Sequence, residues 1–394
     1  MQPESEFLPF ARPSITDLEK RAALEVLSSG WLTTGPRAKE FEAAFAEKVG
    51  VRHAVALNSA TAALHLALDA LGVGPGDDVV LPTWTFAATA EVVLYRGATP
   101  VLVDVEEETL NVTPGAIDAA LTPGTKAVIA VHFAGLPAFI DELAELLTTR
   151  GVGLVEDAAH AFPARVAAAS GRYAGTFGAV GAFSFYATKT ITTGEGGMLV
   201  TNSDDIADRA RMMSLHGISR DAWKRYTAEG SWHYDIEEAG YKYNMTDLAA
   251  SIGIAQLSRA EELFDKRKQL ATAYRKAFAA SSASDLLDLP VDPGDGSHAW
   301  HLFVIRLRLE ALRIDRGQVI AALRDRGIGT SVHFIPLHFH SLYRRLLGTR
   351  PESYPVATAE AERVISLPLW PGMGLEAVAR VVSTLESILQ AHRR

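Results

Sequence analysis

Residues 53–81, HAVALNSATAALHLALDALGVGPGDDVVL, predict a strand, a helix and a second strand in succession. His53–Leu57 and Asp78–Leu81 are mainly apolar runs of strand length, and Thr61–Leu71 between them has the longer apolar pattern of a helix. A helix of this kind is the usual connection between parallel strands, and such crossovers are right-handed. This segment therefore predicts a parallel βαβ unit.

The same alternation continues on both sides of this unit. An acid three residues after Ser14 and Thr16 is a capping-box signal for a helix that ends near Gly30, and a second helix is predicted from Pro36 to Gly50. The chain then alternates predicted helices (Phe86–Tyr95, Pro114–Leu121, Pro137–Thr149) with predicted strands (Pro100–Val105, Ala127–Val131, Val152–Glu156). We expect an α/β fold whose large, mainly parallel sheet is covered by helices on both faces.

The pattern changes after residue 180. Two apolar strands, Val180–Tyr186 and Gly197–Thr201, follow without a helix between them. Thr246–Ala279 predicts one or two long helices with a break near residues 257–260, and the segment 281–298 is rich in turn residues. The remaining predicted elements alternate strand, helix, strand and helix, at His301–Leu309, Asp315–Arg326, Gly329–Phe334 and Glu376–His392.

These elements divide the chain into three expected parts. An N-terminal arm and helix cover residues 1–35, a large domain covers 36–260, and a small C-terminal α/β domain covers 261–394. A chain of 394 residues is long enough for two such domains.

Composition and charge exclude several classes of site and protein. The chain has no cysteine, which excludes disulfides, thiolate zinc sites, iron–sulfur clusters and a cysteine nucleophile. A net charge of −9 argues against a nucleic-acid polymer as partner, because such binding depends on neutralising phosphates. No apolar run approaches the roughly 20 residues that span a membrane, and the acidic start lacks the pattern of a signal peptide. We therefore expect a cytoplasmic protein without a membrane segment.

Common nucleotide and metal motifs are absent from the sequence. Residues 72–77, GVGPGD, have aspartate where a dinucleotide-binding fingerprint needs its last glycine, and neither a P-loop nor an H-E-x-x-H sequence occurs. His333, His338 and His340 are close enough in sequence to suggest zinc, but no carboxylate lies near them and Pro336 interrupts the run. We expect no metal, and we expect these histidines to belong to a substrate pocket or to the packed interior.

Two polar segments follow predicted strands of the large sheet. In residues 58–61, the hydroxyls of Ser59 and Thr61 and the backbone amides of a helix start suit a phosphate, although an ordinary helix cap gives the same pattern. Asp157 directly follows an apolar strand, at the edge where open α/β sheets bind ligands. A buried carboxylate there needs a partner such as a protonated pyridine nitrogen, and a plain cap or ion pair is the alternative.

Two further segments carry a lysine and an asparagine. In residues 182–197, AFSFYATKTITTGEGG, Lys189 has small and apolar neighbours that would remove water from its amine and lower its pKa. Ser184 lies five residues earlier and could contact the same phosphate as residues 58–61. The alternative for Lys189 is an ordinary solvated side chain, as for most single lysines. Asn244 precedes a predicted helix, where an N-cap is the simpler explanation.

The order of these sites carries more information than any one of them. A phosphate turn, then Asp157, then Ser184 and Lys189, with Lys189 placed 32 positions after Asp157 (189 − 157 = 32), resembles fold type I pyridoxal-phosphate (PLP) enzymes, which are aspartate aminotransferase-like. Within them the chain resembles the DegT/DnrJ/EryC1/StrS family of sugar aminotransferases. The resemblance runs from residues 29–36, SGWLTTGP, to residues 333–338, HFIPLH, and 366–369, SLPL.

This resemblance implies a PLP cofactor and a role for each matching residue. Lys189 would bind the cofactor covalently and act as the general base, Asp157 would pair with the pyridinium nitrogen, and His160 would lie beside the phenolate oxygen. The resemblance further implies that the phosphate ligands are Ser59, Ala60, Thr61 and Ser184. Trp84 would stack on the cofactor ring, and Asn244 would be a phosphate ligand donated by the second subunit. The last of these implies a homodimer with shared active sites.

The resemblance also implies a substrate class. It points to L-glutamate as amino donor, with 2-oxoglutarate as its product, and to C4 of a nucleotide-linked 4-keto-6-deoxy sugar as acceptor. A dTDP-linked sugar is the first choice and a UDP-linked sugar the second, in deoxysugar, antibiotic or surface-glycan biosynthesis. The substrate residues expected from this resemblance are Trp31, Thr33, Thr34, His333 and His338. Arg220, Lys224 and Arg225 could bind the diphosphate, or could form a solvated loop.

Three other functions fit the same fold. One is a 3-keto sugar aminotransferase, and another is a PLP-dependent sugar dehydratase. The dehydratase branch has histidine in place of the lysine, so Lys189 argues against it. A non-catalytic regulatory protein of the same fold is the third, and the intact set of Lys189, Asp157, Thr61 and Ser184 argues against that.

Overall fold

The first helix shows how local sequence signals set the start and end of an element. In the computed structural model, which describes residues 7–166, 171–218 and 235–394, α1 covers Asp17–Ser29. The Thr16 backbone amide donates to a Glu19 carboxylate oxygen at 2.7 Å, and the Thr16 hydroxyl accepts from a backbone amide of the first turn. Gly30 ends the helix in the left-handed conformation, with φ 75°. The capping box predicted at Thr16 is therefore confirmed.

Strands occupy three sheets in the described part of the chain. They are β1 His53–Leu57, β2 Asp78–Pro82, β3 Thr99–Val103, β4 Thr125–Val131, β5 Gly153–Asp157, β6 Arg165–Val166, β7 Arg172–Tyr173, β8 Val180–Ser184, β9 Gly197–Thr201, β10 Leu287–Asp288, β11 Phe303–Leu307 and β12 Val364–Leu367. The large sheet has the order β1-β9-β8-β5-β4-β2-β3. Strand β9 runs antiparallel to both of its neighbours, and all other neighbouring pairs are parallel.

Helices pack against the large sheet and against the small sheet. Those that follow α1 are α2 Pro36–Val49, α3 Ala60–Ala70, α4 Ala87–Tyr95, α5 Pro114–Ala120, α6 Ile140–Arg150, α7 Asp204–Met213, α8 Asp247–Ser258, α9 Ala260–Ala279, α10 Arg316–Asp325, α11 Ser341–Leu347, α12 Pro355–Ala361 and α13 Leu375–Ala391. The predicted break near residues 257–260 is confirmed, because α8 ends at Ser258 and α9 begins at Ala260.

Both faces of the large sheet are buried. Along β4, Ala127 and Ile129 belong to one apolar cluster, whereas Val128 and Ala130 belong to another. Because side chains of a strand alternate between faces, this division places an apolar layer on each side of the sheet. The prediction of an α/β fold with a large, mainly parallel sheet is confirmed.

The small antiparallel sheet, β10-β11-β12, has an apolar core of its own. Its third strand is β12, and the strand predicted at Gly329–Phe334 is wrong. Only Ser331 of that segment pairs, with Ser366 of β12. The alternating side chains Val332 and Phe334 instead pack against the core of the large sheet, which explains why the pattern resembled a strand.

The boundary between the two cores falls inside one helix. Near its start, α9 contributes Ala260 and Leu263 to a core of the large sheet, and further along Tyr274 and Phe278 belong to the core of the small sheet. The division into 1–35, 36–260 and 261–394 remains a prediction. Within the described ranges, every helix is too short or too polar to cross a membrane.

Candidate active site

A cavity of about 420 Å³ opens at the carboxyl ends of the parallel strands. Asp157 is the last residue of β5 and Ser184 is the last residue of β8, so adjacent parallel strands bring them to one edge of the sheet. The predicted residues that line this cavity are Ser59, Ala60, Thr61, Asp157, His160, Ser184, Lys189 and His333. Residues more than 270 positions apart in the sequence therefore meet in one place.

Asp157 is a buried carboxylate with two hydrogen bonds. It accepts from the Thr89 hydroxyl at 2.8 Å and from the Ala159 backbone amide at 3.2 Å, and its exposed fraction is 7%. Burial raises its pKa above the ordinary value of 3.8, against the opposing effect of these hydrogen bonds and of Lys189. Two carboxylate oxygens have about four acceptor sites, so this side chain retains capacity for a cationic donor in the cavity.

Lys189 lies in the same cavity, five residues after the end of β8. Its backbone amide donates to the Tyr186 carbonyl at 2.9 Å, which fixes the start of its side chain. Burial lowers the pKa of the amine to about 8, while the charge of Asp157 acts in the opposite direction. At neutral pH roughly a tenth of the amine is then uncharged and able to act as a nucleophile or base, far more than for a solvated lysine.

Three histidines form one wall of the cavity. The ring of His160 stacks on Phe334, with centroids 5.8 Å apart, and lies 4.4 Å from the ring of His301. Burial lowers the pKa of His160, His301 and His333, so all three are neutral near pH 7. The Nδ1 atoms of His160 and His301 are buried and lack a hydrogen-bond partner in the described structure. Each ring therefore retains hydrogen-bonding capacity that the protein itself does not use.

His301 is a cavity residue that the sequence pattern does not mark. It precedes β11 and reaches the cavity because Ala299 and Leu302 donate backbone hydrogen bonds to Gly135 and Ala134, at 2.8 and 3.2 Å. The only available signal was a histidine at the first position of the predicted strand His301–Leu309, and that signal is too common to mark a site.

The phosphate turn is held by a helix cap and by a close backbone contact. The Ser59 hydroxyl accepts from the Ala62 amide at 3.1 Å, so it caps α3 as the simpler interpretation expected. Ser59, Ala60 and Thr61 also line the cavity, where the amide dipoles of the helix start favour an anion. A Cβ atom on Gly197 of β9 would overlap the backbone of Ser59 and Ala60, so only glycine permits this approach.

Replacing Gly197 by alanine should therefore weaken PLP binding by about tenfold or more and lower the melting temperature. The added methyl group must displace the Ser59–Ala60 backbone, and overpacking of this kind costs about 1–3 kcal/mol. Absorbance titration of the apoprotein with PLP measures the affinity. Gly115→Ala is the matched control, because a Cβ atom on that α5 residue meets nothing within 4 Å. An unchanged PLP affinity in Gly197→Ala would show that the turn does not bind the phosphate.

Trp84 does not lie beside the cavity, where the family resemblance places it as the ring-stacking residue. Its side chain is fully buried and packs edge-on against Phe133, with centroids 6.1 Å apart, and it does not line the cavity. Phe86, two residues later, lines the cavity with an exposed fraction of 64% and contacts Phe334. The prediction for Trp84 is therefore wrong, and Phe86 is the aromatic residue available to a planar ring.

His338 is also outside the cavity. Its ring is fully buried, and its two nitrogens lie 2.9 Å from the Thr83 hydroxyl and 3.0 Å from the Thr358 hydroxyl. Tyr354 stacks on the ring at 4.7 Å. Because both nitrogens are occupied within the protein, the predicted substrate role of His338 is wrong, and the side chain links the end of β2 to α12.

The remaining predicted substrate residues lie together on another surface. Thr34 donates to the Met245 carbonyl at 2.5 Å and accepts from the Asn244 amide at 2.6 Å, and the Thr33 carbonyl accepts from the Asp247 amide at 3.2 Å. Trp31 and Thr34 line a groove of about 610 Å³ that contains none of the cavity residues. Thr33, Thr34, Asn244 and Trp31 therefore form a contiguous group that does not line this chain's cavity.

Metal and diphosphate sites remain without structural support. Across residues 7–166, 171–218 and 235–394, no three His, Asp or Glu side chains are grouped so as to hold a metal ion. Arg220, Lys224 and Arg225, the candidates for the diphosphate, lie outside the described residues.

The cavity fits PLP by its donor set and by its shape. A buried carboxylate, a lysine with a lowered pKa, an exposed aromatic face and a helix start braced by glycine match the pyridinium nitrogen, the aldehyde, the ring and the phosphate of this cofactor. Asp157, Lys189, Phe86 and the Ser59–Thr61 turn are the residues that would hold these four parts.

Comparison with known proteins identifies the family. Residues 13–386 match the DegT/DnrJ/EryC1/StrS aminotransferase family. The chain is 43% identical over 391 residues to the spore coat polysaccharide biosynthesis protein SpsC of Bacillus subtilis (strain 168), and the match covers 99% of each protein.

Solved structures show the same fold over nearly the whole chain. Spr1654 from Streptococcus pneumoniae, solved in PMP and PLP forms, is 32% identical with a TM-score of 0.89, and the match covers 98% of this chain and 98–99% of that one. DesI, crystallised in the presence of its TDP-sugar product, is 31% identical with a TM-score of 0.84, covering 98% and 93%. The chain thus belongs to the DegT/DnrJ/EryC1/StrS family and is a PLP-dependent sugar aminotransferase.

Proposed function

We propose that this enzyme transfers the amino group of L-glutamate to C4 of a nucleotide-linked 4-keto-6-deoxy sugar. The first candidate substrate is dTDP-4-keto-6-deoxy-D-glucose, and a UDP-linked 4-keto sugar is the second. The observation that carries the aminotransferase chemistry is the presence of Lys189 and Asp157 in one cavity of about 420 Å³. The finer assignment is supported by residues 31–36 (WLTTGP), 240–245 (GYKYNM) and 330–338 (TSVHFIPLH), which resemble the branch of the family that aminates C4 of nucleotide-linked 4-keto sugars. It is also supported by the TDP-sugar product named for DesI.

The side chains of the cavity have different roles in the proposed reaction. When bound, PLP supplies an aldehyde and an electron-withdrawing pyridinium ring. Asp157 holds the positive charge of the ring nitrogen, and the free Lys189 amine takes a proton from the α-carbon of glutamate and later delivers one to C4 of the sugar. His160, which is neutral and has an unpartnered Nδ1, lies beside this path and adds no charge to it.

A second subunit is proposed as part of each active site. Among the described residues that line the cavity, Lys189 is the only lysine or arginine, and Asp157 and Glu195 add two carboxylates. A cofactor phosphate and a substrate diphosphate require more positive charge and more donors than these residues provide. We infer that Asn244 and the adjoining Thr34 segment of one protomer reach the cavity of the other in a homodimer. A cytoplasmic location remains a prediction from the sequence.

Product analysis tests the proposed function. With L-glutamate and dTDP-4-keto-6-deoxy-D-glucose, we expect a dTDP-4-amino-4,6-dideoxy sugar and an equal amount of 2-oxoglutarate, identified by mass and NMR. The UDP-linked keto sugar assayed in parallel distinguishes the two nucleotides by kcat/KM. Amination at C3, or no amination of either sugar by enzyme that glutamate has converted to the amine form, would contradict the assignment.

A further inference from the structure

Glu195 is the unassigned charged residue of the cavity. It lines the cavity with its side chain exposed, and its carboxylate has no hydrogen bond or ion pair in the described structure. The other carboxylate in the cavity, Asp157, has two hydrogen-bond donors. An unpaired carboxylate in a binding cavity can accept hydrogen bonds from the donor groups of a ligand.

The backbone around Glu195 is held firmly. The Thr193 hydroxyl donates to the Glu195 carbonyl at 2.6 Å, the Gly194 amide donates to the Thr192 hydroxyl at 2.9 Å, and the Phe185 amide donates to the Gly196 carbonyl at 2.9 Å. These bonds fix the position from which the side chain projects into the cavity. The backbone is therefore placed in advance, so ligand binding has to order only the side-chain torsions of Glu195.

Charge decides which part of a substrate Glu195 can face. The cavity already contains Asp157, and bound PLP adds a phosphate, whereas Lys189 is its only described cationic side chain. A second anion placed against Glu195 would be repelled at short range. The diphosphate and the carboxylates of glutamate therefore do not contact the Glu195 carboxylate. Sugar hydroxyls are uncharged donors, and a carboxylate can accept from two of them at once.

We propose that Glu195 is a specificity-determining residue that accepts hydrogen bonds from the hydroxyls of the sugar ring and directs the diphosphate away from that side of the cavity. This inference rests on the proposed function, because it assumes a nucleotide-linked sugar. It also implies that Glu195 opposes the binding of glutamate, which occupies the same cavity in the other half of the reaction.

Ligand binding and the two half-reactions test Glu195 independently. In Glu195→Gln holoenzyme, we expect dTDP-glucose to bind about tenfold more weakly by calorimetry, because hydrogen bonds to a charged group are lost, while dTDP alone binds as before. The KM for the keto sugar should rise by a similar factor, and the KM for glutamate should stay the same or fall. Glu47→Gln, a change to an exposed glutamate on α2, is the control for net charge and should alter none of these values.

The outcomes separate the two proposals. A weakened affinity for dTDP-glucose with unchanged affinity for dTDP supports the role of Glu195, and equal changes for both ligands, or none, overturn it. A rise of both KM values by one factor also overturns it, because a merely structural effect acts on both substrates. The wild-type enzyme reports separately on the proposed function: if it binds dTDP-glucose no better than dTDP and aminates neither sugar, the substrate class itself is wrong.

Discussion

The Lys189→Ala variant should lose turnover by about 10⁴-fold or more while it keeps its fold and its ability to bind PLP. Alanine has no amine to bind the cofactor covalently and none to move a proton, so both functions proposed for Lys189 are lost together. Removing this amine from the cavity takes away a charge that burial disfavours, because burial lowers the Lys189 pKa to about 8. We therefore expect no loss of thermal stability in the apoprotein.

Three measurements check this prediction. The visible absorbance of the lysine-linked cofactor should disappear, circular dichroism should be unchanged, and steady-state assays should give no product above background. Lys126→Ala on β4 is a suitable control, because that lysine is exposed and distant in the sheet from the cavity edge. Multiple turnover by the Lys189→Ala enzyme would exclude Lys189 as the catalytic base.

The fold was largely predictable because its signals are local. The capping box at Thr16, the left-handed Gly30 and the strand at His53–Leu57 each depend on a few neighbouring residues. The order of strands was not predictable, since β9 enters the sheet between β1 and β8 by pairing with residues about 150 positions away. The strand at Gly329–Phe334 was wrongly predicted because of long-range packing as well. Its apolar side chains do alternate along the chain, but they pack against the core of the large sheet.

The site was predictable where a residue type and a strand end coincide. Asp157 and Ser184 are terminal residues of β5 and β8, and parallel strands bring such positions together. Trp84 and His338 failed because the sequence does not show which way a side chain turns after its strand or loop. Trp84 turns into the core, and His338 finds two hydroxyl partners there. The position of His301 depends on contacts between distant segments, for which the sequence carries no local sign.

The Asp157→Asn variant should lower turnover by about 10²–10³-fold without losing covalent PLP. Asparagine keeps the size of the side chain. Its single oxygen can accept from the Ala159 amide, now at 3.2 Å, and its NH2 group can donate to the Thr89 hydroxyl, now at 2.8 Å. It lacks the negative charge that holds the pyridinium nitrogen protonated, and removing one preorganised electrostatic group typically costs about this much in rate. Asp265→Asn, at an exposed position of α9, is the control with the same change in charge.

The same substitution should also move the pH dependence of cofactor attachment. In the wild-type apoprotein, PLP attaches through the uncharged Lys189 amine, so the rate should rise with pH and level off above about 8. The Asp157 charge raises the Lys189 pKa, so its removal lowers that pKa further, and the plateau should begin at a lower pH. Stopped-flow absorbance after addition of PLP measures this midpoint. A midpoint that stays at the wild-type pH, together with unchanged turnover, would show that Asp157 does not act on the lysine or on the cofactor ring. A lower midpoint together with lower turnover would show that Asp157 acts electrostatically on both Lys189 and the pyridinium ring.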